Sequence, residues 1–264
     1  MKNKWWDYYE VKEEGVFKIS PSQFSKFIVT PWQWYREQIL GEDKFEGNTS
    51  SYLGTIVHYL CECAIRDKPV CRDDIEEFLA TIDDPEVDKE EIRRQYPLMA
   101  KVIVNEYVLK YKFLYKHTEL YIGHKLTDSL KVEGSIDAIL EDQLADGVKI
   151  VDYKTYNSKA KPKSMPNYYK HQLLVYAYIL KQNGYNPTSI ELVFVNRNID
   201  GGVSEKTGKP LKSYPPEVTV LTEPVAEEDL AFIEGQLNLC KDTLDASNKY
   251  TSLRHVIWHD PRLE

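Results

Sequence analysis

The amino-acid sequence predicts an α/β protein in which a mixed central sheet is flanked by helices. Helical spacing of apolar residues dominates up to residue 118, whereas the alternation typical of strands begins at Glu119. From there the pattern gives three strands, a helix, two further strands and a last helix. We therefore predict a single domain over residues 1–264, in which a helical N-terminal part (1–118) packs over an α/β core (119–264).

The N-terminal part is predicted to be helical because its apolar residues recur every three or four positions. The segment ISPSQFSKFIVTPWQWYREQILG (19–41) is typical of a capped helix, a break at Thr-Pro and a second helical piece that ends at Gly41. After a polar loop, YLGTIVHYLCECAIRD (52–67) places His58 on a helix. Residues 72–118 continue as helices, with Pro85 and Pro97 predicted as breaks.

The core is predicted from strand alternation and from turn residues between the segments. The predicted elements are the strands ELYIGHKLTD (119–128), LKVEGSIDAILED (130–142) and VKIVDYKTY (148–156), the helix YYKHQLLVYAYILKQNG (168–184), the strands SIELVFVNR (189–197) and EVTVLT (217–222), and a helix over 224–248. A lysine- and proline-bearing loop fills residues 157–167, and a Gly/Pro-rich connection fills 198–216.

Charge and composition exclude some classes of protein. The net charge of −8 argues against a protein that coats nucleic acid with its whole surface. It allows a local basic groove, because residues 149–170 contain six lysines and one aspartate. No apolar run is long enough to span a membrane, and the N-terminus does not resemble a secretory signal, so we expect a cytoplasmic protein with no membrane partner. The four cysteines are then expected to be free thiols.

Two aspartates and a lysine stand in segments that otherwise have the pattern of buried strands. Alternation places Asp152 and Lys154 on one face of their strand, and a hairpin brings Asp137 of the preceding strand beside Asp152. Buried carboxylates need a cation or a full set of hydrogen bonds. Two carboxylates with a neighbouring lysine suit a hard divalent cation, and a plain Asp–Lys ion pair is the alternative.

These residues resemble a known family. Gly134-Ser-Ile-Asp137 followed by Asp152-Tyr-Lys154 resembles the central motifs of the PD-(D/E)xK nucleases, which have a restriction-endonuclease-like core. The RecB-like exonuclease branch, which includes phage exonucleases and CRISPR adaptation nucleases, is the most similar. The resemblance extends to the Q-x-x-x-Y pattern of Gln172 and Tyr176, to His58, and to the N-terminal segment SPSQFSKFIVTPWQWY.

The resemblance implies a metal-dependent nuclease with roles for each of these residues. His58, Asp137, Asp152 and the backbone carbonyl of Tyr153 are implied ligands of Mg²⁺ or Mn²⁺. Lys154 is implied to orient the attacking water and to stabilise charge on the phosphate.

Gln172 and Tyr176 are implied to line the site, although Tyr176 also fits a core aromatic and a lone histidine such as His58 also fits a structural role. Glu119 fits either a carboxylate just outside the ligands or a solvated strand end.

Basic residues near the predicted site suggest how a nucleic acid is held. Lysines of the loop and of the following helix are predicted to guide the backbone of the strand being cut, or to form only a solvated connection: Lys159, Lys161, Lys163 and Lys170.

Part of the RecB-like branch carries an iron–sulfur cluster, and the cysteines decide whether this chain does. That pattern needs a cysteine where Thr30 stands, and three closely spaced cysteines after the Q-x-x-x-Y helix, where only Cys240 is found. We therefore expect no cluster. The alternative is zinc held by Cys61, Cys63 and Cys71, with or without His58. It is disfavoured because Cys61 and Cys63 are two apart on a helix and point away from each other.

Two functions of different class follow from the sequence. The first is a Mg²⁺- or Mn²⁺-dependent deoxyribonuclease, an exonuclease rather than an endonuclease, acting on linear or single-stranded DNA in phage or bacterial recombination and repair. The second is a non-catalytic nuclease-like module that binds nucleic acid or protein. No G-x-x-x-x-G-K-[ST] loop is present, so a helicase or recombination partner would be a separate chain.

Overall fold

A computed structural model describes residues 4–6, 13–42, 47–156 and 161–258 of the chain. Within these residues six strands form one mixed sheet with helices on both faces, so the predicted fold class is confirmed. The strands are β1 (Phe17–Ile19), β2 (Tyr115–Thr127), β3 (Leu130–Asp142), β4 (Gly147–Tyr156), β5 (Pro187–Asn196) and β6 (Val218–Pro224). The helices are α1 (Pro21–Val29), α2 (Pro31–Tyr35), α3 (Thr49–Ile65), α4 (Arg72–Thr81), α5 (Lys89–Ile103), α6 (Asn167–Gln182), α7 (Glu227–Lys249) and α8 (Arg254–Ile257).

Strand β3 organises the sheet because it is paired along both edges. Strand β2 pairs with β3 from residue 130 to residue 140 along one edge. On the other edge, the parallel strand β1 covers residues 130–132 and the antiparallel strand β4 covers residues 138–142. Strands β5 and β6 extend the sheet beyond β4, with β5 parallel to β4. Residues 133–137 of β3 thus face an interval between β1 and β4.

The sheet separates two apolar layers, as the alternation in β3 and β4 requires. Ile139 and Ile150 face the layer formed with α1, α2, α6 and α7. Ala138 and Val151 face the opposite layer, where α3, α4 and α5 pack. The predicted helical region is therefore divided between the two faces of the sheet, with α1 and α2 on one face and α3, α4 and α5 on the other. Among the described helices, none is sufficiently long and apolar to cross a bilayer.

Local sequence signals set the helix ends near the site. Ser20 caps α1 through a reciprocal capping box with Gln23, and Pro21 occupies the first helical turn. A π-helical turn, Arg36–Leu40, follows α2 and ends at Gly41, whose φ of +70° suits glycine. Gly184 has φ of +83° just after α6, as predicted for a helix end.

Four features differ from the sequence-based expectation. Pro97 lies inside α5 rather than breaking it, because the buried face of this helix (Ile92, Met99 and Ile103) outweighs the lost hydrogen bond. Strand β2 begins at Tyr115, four residues before the predicted boundary. Strand β1 was not predicted, because a three-residue strand has too few positions for a periodic signal. The short helix α8 also follows the predicted last helix.

Candidate metal centre at the strand fork

The candidate site lies where β3 and β4 separate. Their ladder runs from Asp142↔Gly147 to Ala138↔Val151, so Asp137 and Asp152 occupy the next register, just beyond the last paired residues. At this point the Tyr153 N–H donates a hydrogen bond to Asp137 Oδ2 (2.8 Å) instead of to a strand carbonyl. The side chain of Asp137 thus replaces the sheet partner of Tyr153, and both aspartates lie at the mouth of the fork, as the hairpin argument predicted.

His58 joins the fork from α3. Its Nε2 lies 2.6 Å from the Tyr153 carbonyl oxygen, and its Nδ1 lies 3.4 Å from Asp137 Oδ2. Burial favours the neutral ring, but the Asp137 carboxylate outweighs it and raises the pKa of His58 to about 9. The protonated ring can therefore donate toward both oxygen atoms. Conversely, although burial opposes it, His58 holds the pKa of Asp137 below its usual value.

Glu119 completes a group of three potential metal ligands. Ligand atoms of His58, Glu119 and Asp137 all lie within 4.8 Å of one another. Glu119 has a left-handed backbone (φ +52°), which costs about 1–3 kcal/mol for a residue with a side chain and is typical of functional sites. It lies between Thr118 and Leu120, which pair with the residues on either side of Asp137. Burial, and then the charge of Asp137, raises the pKa of Glu119 to about 7.

The sequence left the role of Glu119 open between two interpretations. Only the register of β2 against β3 brings it opposite Asp137, and register cannot be read from an isolated strand pattern. The isolated strand pattern therefore carries no signal that marks Glu119 as a site residue.

Asp152 and Lys154 lie on one face of β4, as predicted. The Lys154 ammonium is 2.6 Å from both carboxylate oxygens of Asp152, which is only 3% exposed. Despite this contact, Asp152 Oδ2 is buried without a hydrogen bond of acceptable geometry. Burial, and then the charge of Asp137, raises the pKa of Asp152 to about 6. Burial opposes the charge of Lys154, yet Asp152 keeps the pKa of this lysine above its usual value.

Helix α6 contacts both arms of the fork. Gln172 Nε2 donates to Asp152 Oδ1 (3.3 Å), and the Tyr176 hydroxyl donates to the Ser135 carbonyl (2.6 Å). Tyr176 is 6% exposed, so its hydroxyl holds β3 rather than facing open solvent. A Cβ atom at Gly134 would lie 2.9 Å from the Tyr176 hydroxyl oxygen, which explains the glycine of the Gly134-Ser-Ile-Asp137 motif.

The predicted DNA-binding lysines are not an unpaired basic patch. Lys161 pairs with Glu217 (2.9 Å) and Lys170 pairs with Glu223 (2.7 Å), so acids of the β6 region neutralise them. Lys163 is exposed, and Lys159 lies outside the described residues. The local charge of +5 along the sequence is therefore much reduced in space.

Among the described residues, no cysteine belongs to the three-residue group of potential metal ligands. Cys61, Cys63 and Cys240 are buried, Cys71 is exposed, and all four are free thiols, as predicted. A surface cavity of about 690 Å³ opens at the other end of the β3–β4 hairpin and is lined by residues 141–148 and 184–186. None of the predicted site residues lines it.

The residues at the fork fit a divalent cation with oxygen ligands. Two carboxyl groups with raised pKa values lie beside a third that is ionised, so the fork carries more negative charge than its own cations balance. The buried Oδ2 of Asp152 lies 2.6 Å from the Lys154 ammonium but makes no hydrogen bond of acceptable geometry. Carboxylates with one imidazole are suitable ligands for Mg²⁺ or Mn²⁺, and binding through His58 would release the proton that the ring carries in the metal-free protein. Asp152 is not part of the three-residue group, and its carboxylate is paired with Lys154.

A mixed sheet flanked by helices, with Asp137, Asp152 and Lys154 brought together at the fork, agrees with the resemblance found in the sequence. The family model described as the PD-(D/E)XK nuclease superfamily matches residues 18–247. The chain therefore belongs to the PD-(D/E)XK nuclease superfamily, and the predicted family is confirmed. Members of this superfamily use divalent metals.

Solved structures share the fold at low sequence identity. A protein from Eubacterium rectale classed as a candidate exonuclease is 16% identical, with a TM-score of 0.51 over 85% of this chain and 79% of that one. A phage-related exonuclease from Haemophilus somnus is 12% identical, with a TM-score of 0.39 over 84% and 91% of the two chains. No curated protein matches the chain. At these identities the likeness shows the fold alone.

Proposed function

We propose that this protein is a metal-dependent deoxyribonuclease that degrades linear or single-stranded DNA from its ends. Such an activity fits phage or bacterial recombination and repair, where it would act with a separate helicase or recombination protein. The convergence of His58, Glu119 and Asp137 beside the Asp152–Lys154 pair carries the proposal. A Mg²⁺ or Mn²⁺ ion held there would polarise the scissile phosphate and lower the pKa of a bound water.

The residues of the chain have distinct parts in this proposal. His58, Asp137, Asp152 and the Tyr153 carbonyl would hold the cation, and the position of Glu119 adds a fourth side chain to this set. The ion-pairing of His58 with Asp137 keeps the fork assembled in the metal-free protein.

Lys154 acts as a cation rather than as a base. Its raised pKa keeps the ammonium protonated at neutral pH, with Asp152 on one side and the Tyr169 ring 5.5 Å away. In that state it orients the attacking water and stabilises the negative charge that develops on the phosphate.

The position of α3 supports a preference for strands with free ends. The site lies between α3, which carries His58, and the fork of the sheet. A flexible single strand enters such a junction more easily than an intact duplex, which is wide and stiff.

The test is a time course with end-labelled single-stranded DNA, linear duplex, closed circular duplex and matched RNA, with Mn²⁺ or Mg²⁺ and with EDTA. We expect metal-dependent loss of the linear DNA substrates and survival of the circle. Lys154→Ala should lower turnover at least ~100-fold, because it removes charge stabilisation at the phosphate. Lys241→Ala on α7 is the matched control and should cleave like the wild type.

Three outcomes would contradict the proposal at different levels. Rapid nicking of the closed circle would make the protein an endonuclease. Full activity of the Lys154→Ala variant would refute the role of this lysine. Tight DNA binding without cleavage of any substrate would favour the non-catalytic module instead.

A further inference from the structure

A long connection between β5 and β6 forms an exposed β-ribbon. Antiparallel neighbours need only a few connecting residues, whereas this connection has about 20, a length that is uncommon unless the segment has a function. Residues 199–214 pair with each other through the bridges Ile199↔Tyr214 and Val203↔Pro210. We call this segment the basic ribbon.

The basic ribbon has a defined backbone. Ile199 and Tyr214 exchange two backbone hydrogen bonds (2.9 and 2.8 Å). Gly202 and Gly208 both have φ of +63°, which favours glycine. A Cβ atom at Gly201 would lie 2.0 Å from the Leu211 carbonyl oxygen, so only glycine permits this close approach of the two ribbon strands.

The root of the ribbon is fixed to the body of the protein. The buried side chain of Gln95 on α5 bonds both the N–H and the carbonyl of Asn198 (2.9 Å each). Arg197 pairs with Glu91 of α5 (2.9 Å), and its N–H donates to the Tyr156 carbonyl at the end of β4. The ribbon therefore projects from a rigid base.

This base lies at the end of the sheet that contains the candidate metal centre. Strand β5 is parallel to β4, with Phe194 in register with Lys154. The ribbon root at Arg197 is three residues further along, or about 10 Å at the rise of a strand. The Lys161–Glu217 ion pair also ties the predicted DNA-binding loop to the returning end of the ribbon connection.

The ribbon carries three lysines against two acids, Asp200 and Glu205, so its net charge is +1 and its positive charge lies toward the tip and the returning strand. Three exposed lysines, here called the ribbon lysines, lie at its tip and on its returning strand: Lys206, Lys209 and Lys212. Within the described part of the chain, none of the three has a carboxylate within ion-pairing distance, whereas Lys161 and Lys170 do. Lys212 lies 5.0 Å from the ring centre of Tyr214. Phosphate groups of a nucleic acid are the natural counter-charge for such a row.

We infer that the basic ribbon binds the phosphate backbone of the DNA strand outside the cleavage site. This inference rests on the proposed function for the identity of the polyanion. It transfers the role of backbone guide from the largely neutralised lysines 161 and 170 to the ribbon lysines. The contact would be independent of sequence and sensitive to salt.

The test is fluorescence anisotropy with a labelled 30-nucleotide single strand in EDTA, so that binding is measured without cleavage. The variant carries Lys→Gln at all three ribbon lysines. The matched control carries the same charge change on α6 and α7, at Lys181, Lys241 and Lys249. Each lysine–phosphate contact on a single strand contributes about 0.7 to the slope of log Kd against log salt.

We expect the ribbon variant to reduce that slope by about 2 and to weaken binding at least ~10-fold at low salt, with the control within ~2-fold of the wild type. An unchanged slope and Kd in the ribbon variant, or an equal loss in the control, would overturn the inference. Thermal unfolding checks that the variants are folded, and single Lys→Gln variants provide a second measurement of the slope. Failure of the proposed function is distinct, since it would show as absence of cleavage in Mn²⁺ while binding in EDTA is unaffected.

Discussion

Replacing Asp137 by asparagine should return the pKa of His58 from about 9 to 6.5 or lower in the metal-free protein. The raised pKa of His58 depends on the Asp137 carboxylate, whereas burial of the ring acts in the opposite direction. Asparagine keeps the size of the side chain and can still accept a hydrogen bond from the Tyr153 N–H, but it carries no charge. The substitution therefore isolates the electrostatic part of the interaction.

The magnitude follows from the pKa shift. A rise from 6.5 to about 9 corresponds to about 3 kcal/mol of stabilisation of the protonated ring, and partial exposure of the side chain (24%) reduces it toward about 2 kcal/mol. Because the folded-state pKa of this basic group is raised, the stabilisation is complete below pH 6.5 and is lost as the pH rises through about 9. The pKa of Asp137 is lowered, so its ionised carboxylate stabilises the folded protein above the ordinary pKa of 3.8. This stabilisation is lost as the pH falls through and below that value.

Two measurements check this prediction in EDTA. NMR titration of the histidine ring protons gives the pKa directly, with a His58→Gln variant to assign the resonance. Urea unfolding at several pH values gives the free energy of unfolding of both proteins. The excess of the wild-type value over that of Asp137→Asn should shrink by about 2–3 kcal/mol between pH 6 and pH 9.5. Asp245→Asn on α7 is the control for loss of an exposed carboxylate. A His58 resonance that still titrates near pH 9 in the Asp137→Asn variant would refute the reasoning.

Three further predictions concern buried polar groups and close packing in the sheet. Although burial opposes it, neighbouring lysines hold the pKa of Glu133 at about 2, so the advantage of the wild type over Glu133→Gln should be present above pH 4.5 and shrink as the pH falls toward 2. Acid titration of unfolding free energy tests this, and a constant difference would contradict it. Tyr107→Phe removes a hydrogen bond to the buried Glu191 and should cost about 1–3 kcal/mol in urea unfolding; a neutral effect would mean that this bond is not formed in solution. Gly134→Ala should lower the melting temperature, because a Cβ atom there would lie 2.9 Å from both the Tyr176 hydroxyl oxygen and Pro21 Cδ; an unchanged melting temperature would contradict this close packing.

Much of the fork could be predicted because its geometry follows from local rules. Strict alternation places Ile150, Asp152 and Lys154 on one face of β4, and a hairpin of ordinary length fixes which residues of β3 and β4 face each other. Neither rule depends on distant parts of the chain. The facing aspartates and the nearby lysine were therefore predictable from the sequence.

Features that depend on pairing between distant segments could not be predicted from the sequence. Glu119 reaches the fork through the register of β2 and a left-handed backbone, neither of which leaves a local signal. Lys170 was predicted to contact the nucleic-acid backbone, but it forms an ion pair with Glu223, which is more than 50 residues away in the sequence. Net charge over a window of sequence is informative only when the window stays apart from the rest of the chain.

The paired residues of the β3–β4 hairpin also fix the relative positions of the two aspartates. Adding or removing residues in its turn, between Asp142 and Gly147, changes their separation in sequence but leaves them face to face. A single deletion within the ladder turns one carboxylate to the opposite face of the sheet and dismantles the fork. Length variation in descendants or designed variants of this protein should therefore be confined to the turn, and the number of paired residues between the turn and the aspartates should stay fixed.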